Sequence, residues 1–362
     1  MSSLIIEVCT LGSVDPHSNA DRLEVTQVKG WQCAVPKGQM TQGDAVVYFP
    51  PDTLLPKKWT DNFGVTKYCQ TQPNDMFRIR KAKLRGEPSF GLVVKIDPKW
   101  YIHSDPCESW WCVGDDVADF FGAEKYEPPV LGHAGDVSGR DPDGFHRFTE
   151  IENMRNFPDL LEDGEEVVVT EKIHGTSSRL AAINGEIIAG SKNLPRKRPE
   201  TEDEMKSNFY WLPYTSEGVK EYLEQHAELQ RENSAYPQSI VLYGEVYGRV
   251  QSLRYGLTDL RYRCFAIAIN GKYVDYDNRM IICKQWNIPM VPEVWRGPFS
   301  LEKIKELSEG NTIAADVEQI REGVVTQPVV ERTNARLGRV ILKYVSDTYL
   351  FGSDADKDTT DI

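Results

Sequence analysis

The sequence of 362 residues has no apolar run that could span a membrane and no recognisable leader segment. Its longest apolar runs, such as CFAIAI, fall far short of the roughly 20 residues that a transmembrane helix needs. The first residues, MSSLIIEVC, lack the basic region with which a secretory signal begins. We therefore expect a cytoplasmic protein that has no membrane role.

The sequence also lacks the motifs of a zinc site and of a kinase-type phosphate site. The seven cysteines are scattered and form no C-x-x-C pair, so neither a zinc site nor a disulfide framework is predicted. The phosphate-binding loop G-x-x-x-x-G-K-S/T does not occur. We expect reduced, mostly packed thiols and no kinase activity.

Acidic residues outnumber basic ones, and the formal net charge is −13. This excess of acid argues against nucleic-acid binding over the whole surface. A polyanion would have to meet a local basic patch, and the segments RIRKAKLR (78–85) and SKNLPRKR (191–198) are candidates. The candidate contacts are Arg78, Arg80, Lys81, Arg85, Arg196, Lys197 and Arg198.

Composition divides the chain into four segments. Residues 1–124 hold short apolar segments between Gly, Pro and Asp turns, which is the spacing of a small β-barrel. Residues 125–145 are rich in Pro, Gly and Asp and form a predicted linker. Residues 146–350 mix strands with helices, and residues 351–362 form an acidic tail that is expected to be solvated.

Two hairpins and one helix are the clearest local predictions in the mixed segment. The Asn-Gly pairs at 184–185 and 270–271 supply the positive φ angles that a type I′ turn needs. The segment SEGVKEYLEQHAELQREN predicts an amphipathic helix with Ser216 as its N-cap. The predicted fold class is therefore α+β, with an all-β barrel ahead of a mixed domain.

A lysine in an unusual position gives the first indication of chemistry. The valines at 167–169 predict a buried strand that delivers Lys172, between Glu171 and His174, to a glycine turn. A lone K-x-H-G is more often a surface lysine beside a loop. The alternative is a nucleophilic amine, with Gly175 leaving room for a phosphate to approach.

Residues in the downstream strands favour the second interpretation. In chain order they are Lys192 after a hairpin strand, Glu245 in VLYGEVYG, Phe265 in YRCFAIAI, Glu322 before the strand GVV, and Lys343 in VILKYVS. Each of them alone is more often solvated or packed than functional. Together, in this order, they resemble the motif series of the covalent nucleotidyltransferases, which are the DNA ligases, RNA ligases and messenger-RNA capping enzymes.

The motif EKIHGT (171–176) has His where DNA ligases and capping enzymes have Asp, and it resembles the RNA ligases that seal nicks in duplex RNA or repair RNA breaks. The segments HSNADRLEV (17–25) and KLRGEPSFGLVV (83–94) are similar to the tRNA-binding OB module of synthetases. The competing interpretation of these two segments is the turn chemistry of a β-barrel. An OB-like module ahead of a ligase core resembles the nick-sealing ATP-dependent RNA ligases of the Deinococcus type.

The resemblance implies a fold and a reaction. The second domain should have the ATP-grasp-like antiparallel sheets and helices of a nucleotidyltransferase. Lys172 would attack the α-phosphorus of ATP to form lysyl-AMP, AMP would pass to a 5′-phosphate, and a 3′-hydroxyl would then displace it. The implied cofactors are ATP and Mg²⁺ or Mn²⁺. The implied partner is nicked or broken RNA, with duplex RNA and tRNA as candidates.

The resemblance also implies roles for individual residues. The catalytic set is Lys172, Glu245, Glu322 and Lys343, and Glu322 would face the metal ion. The nucleotide-binding set is Glu171, His174, Gly175, Lys192 and Phe265, and Phe265 would stack on the adenine. An ordinary lysine has a pKa of about 10.4, so only about one amine in a thousand is free near neutral pH. Lys343 and the metal ion are expected to favour the free amine of Lys172.

Three positions depart from the family pattern. Val345 stands where the last motif usually has a second lysine, so a triphosphate contact from this position is not expected. Ser177 stands where relatives have Asn or Arg, and its contact would be shorter or come from Arg179. Ala266 stands where relatives often have an acidic residue.

Two other functions are compatible with parts of the sequence. A DNA ligase or a GTP-using capping enzyme shares the motifs but typically carries its OB domain after the core, where this chain has only a short tail. An RNA- or tRNA-binding protein with a decayed ligase domain would not need an enzyme's residues. The presence of all four candidate catalytic residues argues against that second alternative.

Overall fold

The computed structural model describes residues 5–101, 111–126 and 136–352, which divide into two compact units. The first unit contains the described residues up to 126 together with Glu152–Pro158, and the second contains residues 136–151 and 159–352. Part of the predicted linker (127–135) and most of the predicted tail (353–362) lie outside the described residues. No helix in the described ranges is long and apolar enough to cross a membrane.

The first unit is dominated by short antiparallel strands. Its strands are β1 Glu7–Thr10, β2 Val14–Pro16, β3 Leu23–Val28, β4 Trp31–Pro36, β5 Ala45–Phe49, β6 Thr53–Pro56, β7 Gln70–Gln72, β8 Met76–Arg78, β9 Lys81–Leu84, β10 Glu87–Phe90, β11 Leu92–Lys95, β12 Glu124–Lys125 and β13 Glu152–Asn153. Two short helices accompany them, α1 Lys57–Asn62 and α2 Ala118–Phe121. The alternation of short apolar segments with turns therefore gives the predicted β-rich unit.

The core of the first unit combines aliphatic and aromatic side chains in one cluster. Strands β1, β5 and β11 pair side by side and contribute fully buried residues such as Val8, Val47 and Phe49. Phe121 on α2 packs edge-on against Phe49, with their ring centroids 4.9 Å apart. Such edge-to-face pairs are favourable beyond their buried area, so α2 closes one end of this core.

The second unit combines two large antiparallel sheets and a two-stranded ribbon with helices. Its strands are β14 Glu166–Glu171, β15 Gly175–Ile183, β16 Glu186–Gly190, β17 Pro195–Arg196, β18 Ser239–Gly248, β19 Leu260–Ile269, β20 Lys272–Tyr273, β21 Glu293–Pro298, β22 Gly323–Pro328, β23 Thr333–Asn334, β24 Gly338–Arg339 and β25 Leu342–Val345. Its helices are α3 Glu202–Ser207, α4 Glu217–Glu232, α5 Tyr276–Gln285, α6 Leu301–Ser308 and α7 Asp347–Phe351. The predicted α+β fold class is confirmed.

The larger sheet of this unit has the strand order β17-β16-β15-β18-β19-β20, and the other sheet places β25, β22, β14 and β21 side by side. Helix α4 packs its buried face, which includes Val219 and Leu223, on one side of the larger sheet. The opposite side of that sheet carries Tyr243 and Ala266, which pack in one core with Ile341 and with the partly buried Val325 of β22.

Several local predictions are confirmed by the backbone. Asn184 and Gly185 have φ angles of 49° and 85°, and Asn270 and Gly271 have φ angles of 47° and 76°, as type I′ turns require. Helix α4 begins after Ser216, as predicted, although the Ser216 side chain makes no capping hydrogen bond. The hydrophobic period and the turn residues were therefore sufficient for these elements.

The apolar core between the sheets ends where polar strand residues begin. Residues two apart on a strand share a face, so Tyr243 and Glu245 of β18 lie on the same side of the larger sheet. Tyr243 is fully buried, whereas Glu245 is only partly buried. The strand therefore carries Glu245 to the edge of the core, where a ligand can reach it.

Gln230 ties helix α4 to the first hairpin and gives a test of this packing. Its side chain is 4% exposed, accepts a hydrogen bond from Gly185 N (2.9 Å) and donates to the carbonyl oxygens of Ala182 and Pro237 (3.0 Å each). Gln230→Leu should lower the free energy of unfolding by about 2 kcal/mol or more, because it strands buried polar groups. Gln225→Leu, on the exposed face of α4, is the control and should change it little. Equal urea midpoints for the two variants would contradict this assignment.

Candidate active site

Lys172 lies directly after β14, whose residues at 167–169 are completely buried. The Lys172 backbone N donates a hydrogen bond to the carbonyl oxygen of Gly323 (3.0 Å), the first residue of β22. Because β14 and β22 pair along their length, this bond fixes where the lysine leaves the sheet. The buried strand therefore delivers Lys172 to a defined point, as the sequence indicated.

The side chain of Lys172 contacts the carboxylate of Glu322, through Nζ and Oε1. Glu322 is completely buried, and the Lys172 side chain is 19% exposed. The other carboxylate oxygen, Oε2, lies 3.5 Å from His174 Nδ1. Lys172 and His174 of the K-x-H-G motif therefore meet at the buried carboxylate of Glu322, which the sequence singled out separately.

Glu171 accepts hydrogen bonds from the loop that precedes β22. Its side chain is 1% exposed, and its Oε2 accepts hydrogen bonds from the backbone N of Ile313 (2.7 Å) and Ala314 (3.1 Å). Its Oε1 accepts a hydrogen bond from the Thr312 hydroxyl. Both carboxylate oxygens are thus engaged by the protein, so the geometry supports a positioning role for Glu171 at the base of the lysine turn.

Gly175 is required by the close approach of two strands. A Cβ atom at this position would lie 2.2 Å from the carbonyl oxygen of Val246 and 3.1 Å from Glu245 Cγ. Strand β15 begins at this residue and pairs with β18. Strand β18 therefore occupies the space that a side chain at Gly175 would need. This close approach brings the Glu245 side chain next to the lysine turn.

Glu245 lies in the middle of the larger sheet, opposite Ser177 of β15 and Arg263 of β19. The Arg263 guanidinium donates to the Tyr247 hydroxyl (3.0 Å) and to the carbonyl oxygens of Met290 (2.8 Å) and Ala314 (2.9 Å). Arg263 therefore holds the loop that Glu171 also binds. Ser177 faces Glu245 directly, so its short hydroxyl side chain lies on this polar face of the sheet.

Lys343 lies in the smaller sheet, in one row with Thr170 near the end of β14. Strand pairing sets Thr170, Val325 and Lys343 opposite one another, and residues in such a row share a face. Lys172 lies two positions after Thr170, just beyond the end of β14. The register thus brings the row that contains Lys343 within two positions of Lys172. Val345, two positions further along β25, is buried.

Phe265 owes its orientation to a β-bulge. Tyr243 is paired with Ala266 and Gly244 with Cys264, so Phe265 is the extra residue of β19. Bulges re-aim side chains next to functional sites. The Phe265 ring is partly buried and packs edge-on against Phe148, with ring centroids 4.9 Å apart. One part of this ring is fixed by the core, and the rest can meet a flat ligand.

The basic residues of the second unit are held by acidic and aromatic partners. Lys192 Nζ lies 2.7 Å from Glu150 Oε2, in an ion pair exposed enough to exchange partners at low cost. The guanidinium of Arg196 lies 4.7 Å from the Tyr210 ring centroid, and that of Arg198 lies 5.4 Å from the Trp211 ring centroid. Both Arg198 and the neighbouring Lys197 are exposed, so this segment presents positive charge to solvent.

Arg179 does not supply the contact considered for it in place of Ser177. Its side chain is fully buried and donates to Ser191 O (2.7 Å), Phe145 O (2.9 Å) and Asp141 Oδ1 (2.9 Å). The guanidinium is therefore used to hold residues 141–145 and the Lys192 loop against β15. It has a structural role in the second unit.

In the first unit, the basic segment at 78–85 divides into buried and exposed parts. A direct RNA contact by Arg78 is not supported, because its side chain is buried, binds Asp52 (Nε to Oδ1, 2.7 Å) and lies over the Tyr126 ring. Lys81 is partly buried, whereas Arg80 and Arg85 are exposed. The RNA contacts of Arg80, Lys81 and Arg85 stay predictions.

The structure adds site residues that carried no sequence signal. The Tyr255 hydroxyl accepts a hydrogen bond from the backbone N of His174 (2.7 Å), and Ser252 Oγ lies 3.2 Å from His174 Nε2. Burial, and to a smaller extent the nearby carboxylates Glu322, Glu171 and Glu245, raise the pKa of the Tyr255 hydroxyl well above its usual range. Tyr255 therefore stays protonated within the group of carboxylates that the motifs predicted.

The comparisons with known proteins bear on this arrangement directly. The RNA ligase family model matches residues 165–345, which is half of the 362-residue chain and includes Lys172, Glu322 and Lys343. The chain belongs to the RNA ligase family. An OB-fold domain model matches residues 5–96, so the predicted OB-like module ahead of the ligase core is confirmed for this RNA ligase.

Solved structures of an RNA ligase from Naegleria gruberi resemble this RNA ligase over nearly the whole chain. The structure with PPi is 25% identical, covers 96% of this chain and 98% of that one, and has a TM-score of 0.75. A variant of the same protein with ATP and Mn gives the same four values. A variant with AMP and Mn is 24% identical at the same coverage and TM-score. No curated protein shows significant similarity.

The hydrogen bonds of Glu171 predict a local effect of its substitution. Glu171→Gln should open the loop at 312–314, because an amide cannot accept from two backbone N–H groups and a hydroxyl as a carboxylate does. Hydrogen exchange measured by mass spectrometry should show faster exchange at Ile313 and Ala314. Glu166→Gln is the matched control, since this residue begins the same strand but is 58% exposed. Unchanged protection of the loop in Glu171→Gln would contradict the assignment.

Proposed function

We propose that this RNA ligase joins the 3′-hydroxyl and 5′-phosphate ends of broken or nicked RNA with ATP, through AMP bonded to Lys172. The observation that carries this proposal is the contact of Lys172 with the buried carboxylate of Glu322, inside the segment that matches the family model. A surface lysine beside a loop, the alternative from the sequence, would have no buried carboxylate of this kind.

In the first step, the Lys172 Nζ forms a bond to the α-phosphorus of ATP, and the bond from that phosphorus to the bridging oxygen breaks. Pyrophosphate leaves. The amine must first leave Glu322 to reach the phosphorus, so this ion pair defines the starting state. The relative from Naegleria gruberi was solved with ATP, which is the reactant of this kind of step, with PPi, which is its leaving group, and with AMP, which is the group that is transferred.

The two later steps use the same AMP group. The oxygen of an RNA 5′-phosphate attacks the phosphorus of lysyl-AMP, the P–N bond breaks, and Lys172 is regenerated while the RNA end becomes A-p-p-RNA. A 3′-hydroxyl then attacks the 5′-phosphorus of that end, a phosphodiester forms, and AMP leaves. Lys343, in the strand row that ends near Lys172, would hold the α-phosphate as negative charge develops on it.

The residues present fit a divalent metal ion that arrives with ATP. Among residues 5–101, 111–126 and 136–352 there is no cluster of three or more His, Cys, Asp or Glu side chains that could cage a metal. Mg²⁺ commonly uses one or two protein carboxylates together with water and substrate phosphates. Glu322, with Glu245 nearby on the larger sheet, offers that set. On Glu322 the ion would supply positive charge at the phosphates and replace the Lys172 ammonium there.

We propose roles for the remaining candidate residues from their positions in the second unit. Phe265, aimed by its bulge, would stack on the adenine. Lys192 would exchange Glu150 for a phosphate of AMP or of the RNA end. Arg196, Lys197 and Arg198 would continue this charge along the RNA backbone, where cationic side chains supply sequence-independent affinity. A nick in duplex RNA is the substrate that we propose, on the resemblance of the EKIHGT motif.

The first test of this function is transfer of label from ATP to the protein. Incubation with α-labelled ATP and Mg²⁺, followed by denaturing electrophoresis, should leave label on the wild-type chain. Lys172→Ala should lose it, because the bonding nitrogen is absent. The control is Lys206→Ala, whose side chain is 54% exposed on α3, and it should keep the label. Full labelling of Lys172→Ala would show that another residue is the nucleophile.

The second test separates an RNA ligase from a DNA ligase. Nicked duplexes that differ only in RNA or DNA on the 3′-hydroxyl side should be sealed faster when that terminus is RNA. The readout is the rate of joining of a labelled 5′-phosphate strand under single-turnover conditions. A clear preference for DNA at the terminus would favour the alternative of a DNA ligase.

A further inference from the structure

The loop between β18 and β19, residues 249–259, is bound to the turn that carries the nucleophile. It makes three contacts with His174 and Gly175, through Tyr255, Ser252 and Gln251. The Gln251 Nε2 donates to the carbonyl oxygen of Gly175 (3.4 Å), in addition to the contacts of Tyr255 and Ser252 with His174. None of these loop residues belongs to the motif series. The loop therefore contacts the site through residues that the motif order does not identify.

Tyr255 is the fixed point of this loop. It has a φ angle of 56°, in the left-handed region that a bulky residue rarely adopts, and it is 1% exposed. Its ring packs edge-on against Tyr247 of β18, and its backbone N donates to Gln319 Oε1 (2.9 Å). Strain of this kind persists only where the surroundings determine it and clusters at functional sites. The loop is therefore held in one conformation, with Ser252 beside the His174 ring.

Ser252, His174 and Glu322 form a line that ends at the nucleophile. Ser252 is exposed, and its Oγ lies 3.2 Å from His174 Nε2. The other ring nitrogen, Nδ1, lies 3.5 Å from Glu322 Oε2, while Lys172 Nζ holds Oε1 of the same carboxylate. His174 itself is 4% exposed. Each oxygen of the buried carboxylate thus faces a different side chain of the K-x-H-G motif.

The geometry indicates which nitrogen of His174 can serve Glu322. Nδ1 is the ring nitrogen nearer Oε2, at 3.5 Å, which is an ion-pair distance and not a hydrogen bond. Because a carboxylate only accepts hydrogen bonds, a hydrogen on Nδ1 is the one that a small movement of either side chain would bring to Oε2. The Ser252 hydroxyl can then donate to Nε2. Such a partner on the far nitrogen fixes both the tautomer and the orientation of an imidazole ring.

We propose that Ser252 and His174 are positioning residues for Glu322, with Ser252 orienting the imidazole so that Nδ1 faces Oε2. This inference rests on the proposed function, because its consequence appears when Lys172 leaves Glu322 to bond to phosphorus. Nδ1 of His174 then donates to Oε2 and keeps the carboxylate in place. His174 therefore acts on the reaction through Glu322, whereas the sequence had assigned it to nucleotide contact.

Five variants test the two positions. Ser252→Ala removes the hydroxyl, Ser252→Thr restores one, and Thr258→Ala is the matched control because it removes an exposed hydroxyl from the same loop. His174→Asn places an amide nitrogen where Nδ1 lies and keeps a donor for Glu322. His174→Gln places its amide where Nε2 lies and loses that donor.

The kinetic readout is the single-turnover rate of lysyl-AMP formation. Ser252→Ala should slow it about 10- to 100-fold, as is usual when a partner that orients a site residue is removed. Ser252→Thr and Thr258→Ala should stay close to wild type, and His174→Asn should be faster than His174→Gln. Thermal midpoints of the Ser252 and Thr258 variants should match the wild type, since both residues are exposed.

The second readout does not depend on activity. Long-range ¹H–¹⁵N spectra of the full chain with ¹⁵N-histidine resolve tautomers, and the signal of His174 among the six histidines is the one missing in His174→Asn. It should report Nδ1–H in the wild type and lose this preference in Ser252→Ala.

A wild-type rate or an unchanged tautomer in Ser252→Ala would overturn the proposal. If the wild-type chain takes no label from ATP, the proposed function fails instead, and the tautomer signal alone decides whether Ser252 orients His174.

Discussion

The site depends on one constraint, which is that the completely buried carboxylate of Glu322 must have a cationic partner. An uncompensated buried charge is strongly destabilising, and removing one member of a buried pair typically costs about 3–5 kcal/mol. Lys172 supplies the partner from the end of β14, while its backbone N binds Gly323 at the start of β22. The same residue therefore closes the gap between two strands and carries the reactive nitrogen. Because a buried carboxylate retains its cationic partner, the amine is held at one place before any substrate arrives.

Two glycines allow the strands around the Lys172–Glu322 pair to approach one another closely. A Cβ at Gly175 would lie 2.2 Å from the carbonyl oxygen of Val246, and one at Gly323 would lie 2.2 Å from that of Tyr344. Gly323 also has a φ angle of 155°, which disfavours any side chain. The first glycine brings Glu245 beside the lysine turn, and the second brings β25 close to the start of β22, which follows Glu322. The glycine of the motif therefore serves strand packing, and the polar face of the site follows from that packing.

The sequence was informative where a signal is local and uninformative where a contact joins distant residues. The Asn184 turn and helix α4 were predictable, because turn conformation and hydrophobic period are set by neighbouring residues. Lys172, Glu322 and Lys343 were found through motif order, which belongs to the family resemblance. Ser252 could not be found, because its contact with His174 spans 78 positions and a single serine has no pattern. Burial also misled the sequence prediction at Arg78 and Arg179. Both appear in the sequence as charges that could bind a ligand, but both are buried and bind other residues of the protein.

The ion pair also constrains the order of events at the nucleophile. Lys172 cannot simply leave Glu322, because a completely buried carboxylate without a cation is the costly state described above. Nζ must therefore be replaced as it departs, and the replacement has to reach the carboxylate from the side where the Lys172 side chain is 19% exposed. Lys172 Nζ contacts Oε1, so this is the oxygen at which the exchange begins. The buried pair thus couples release of the amine to arrival of positive charge, and a charge that accompanies ATP would make the amine available only when ATP is bound.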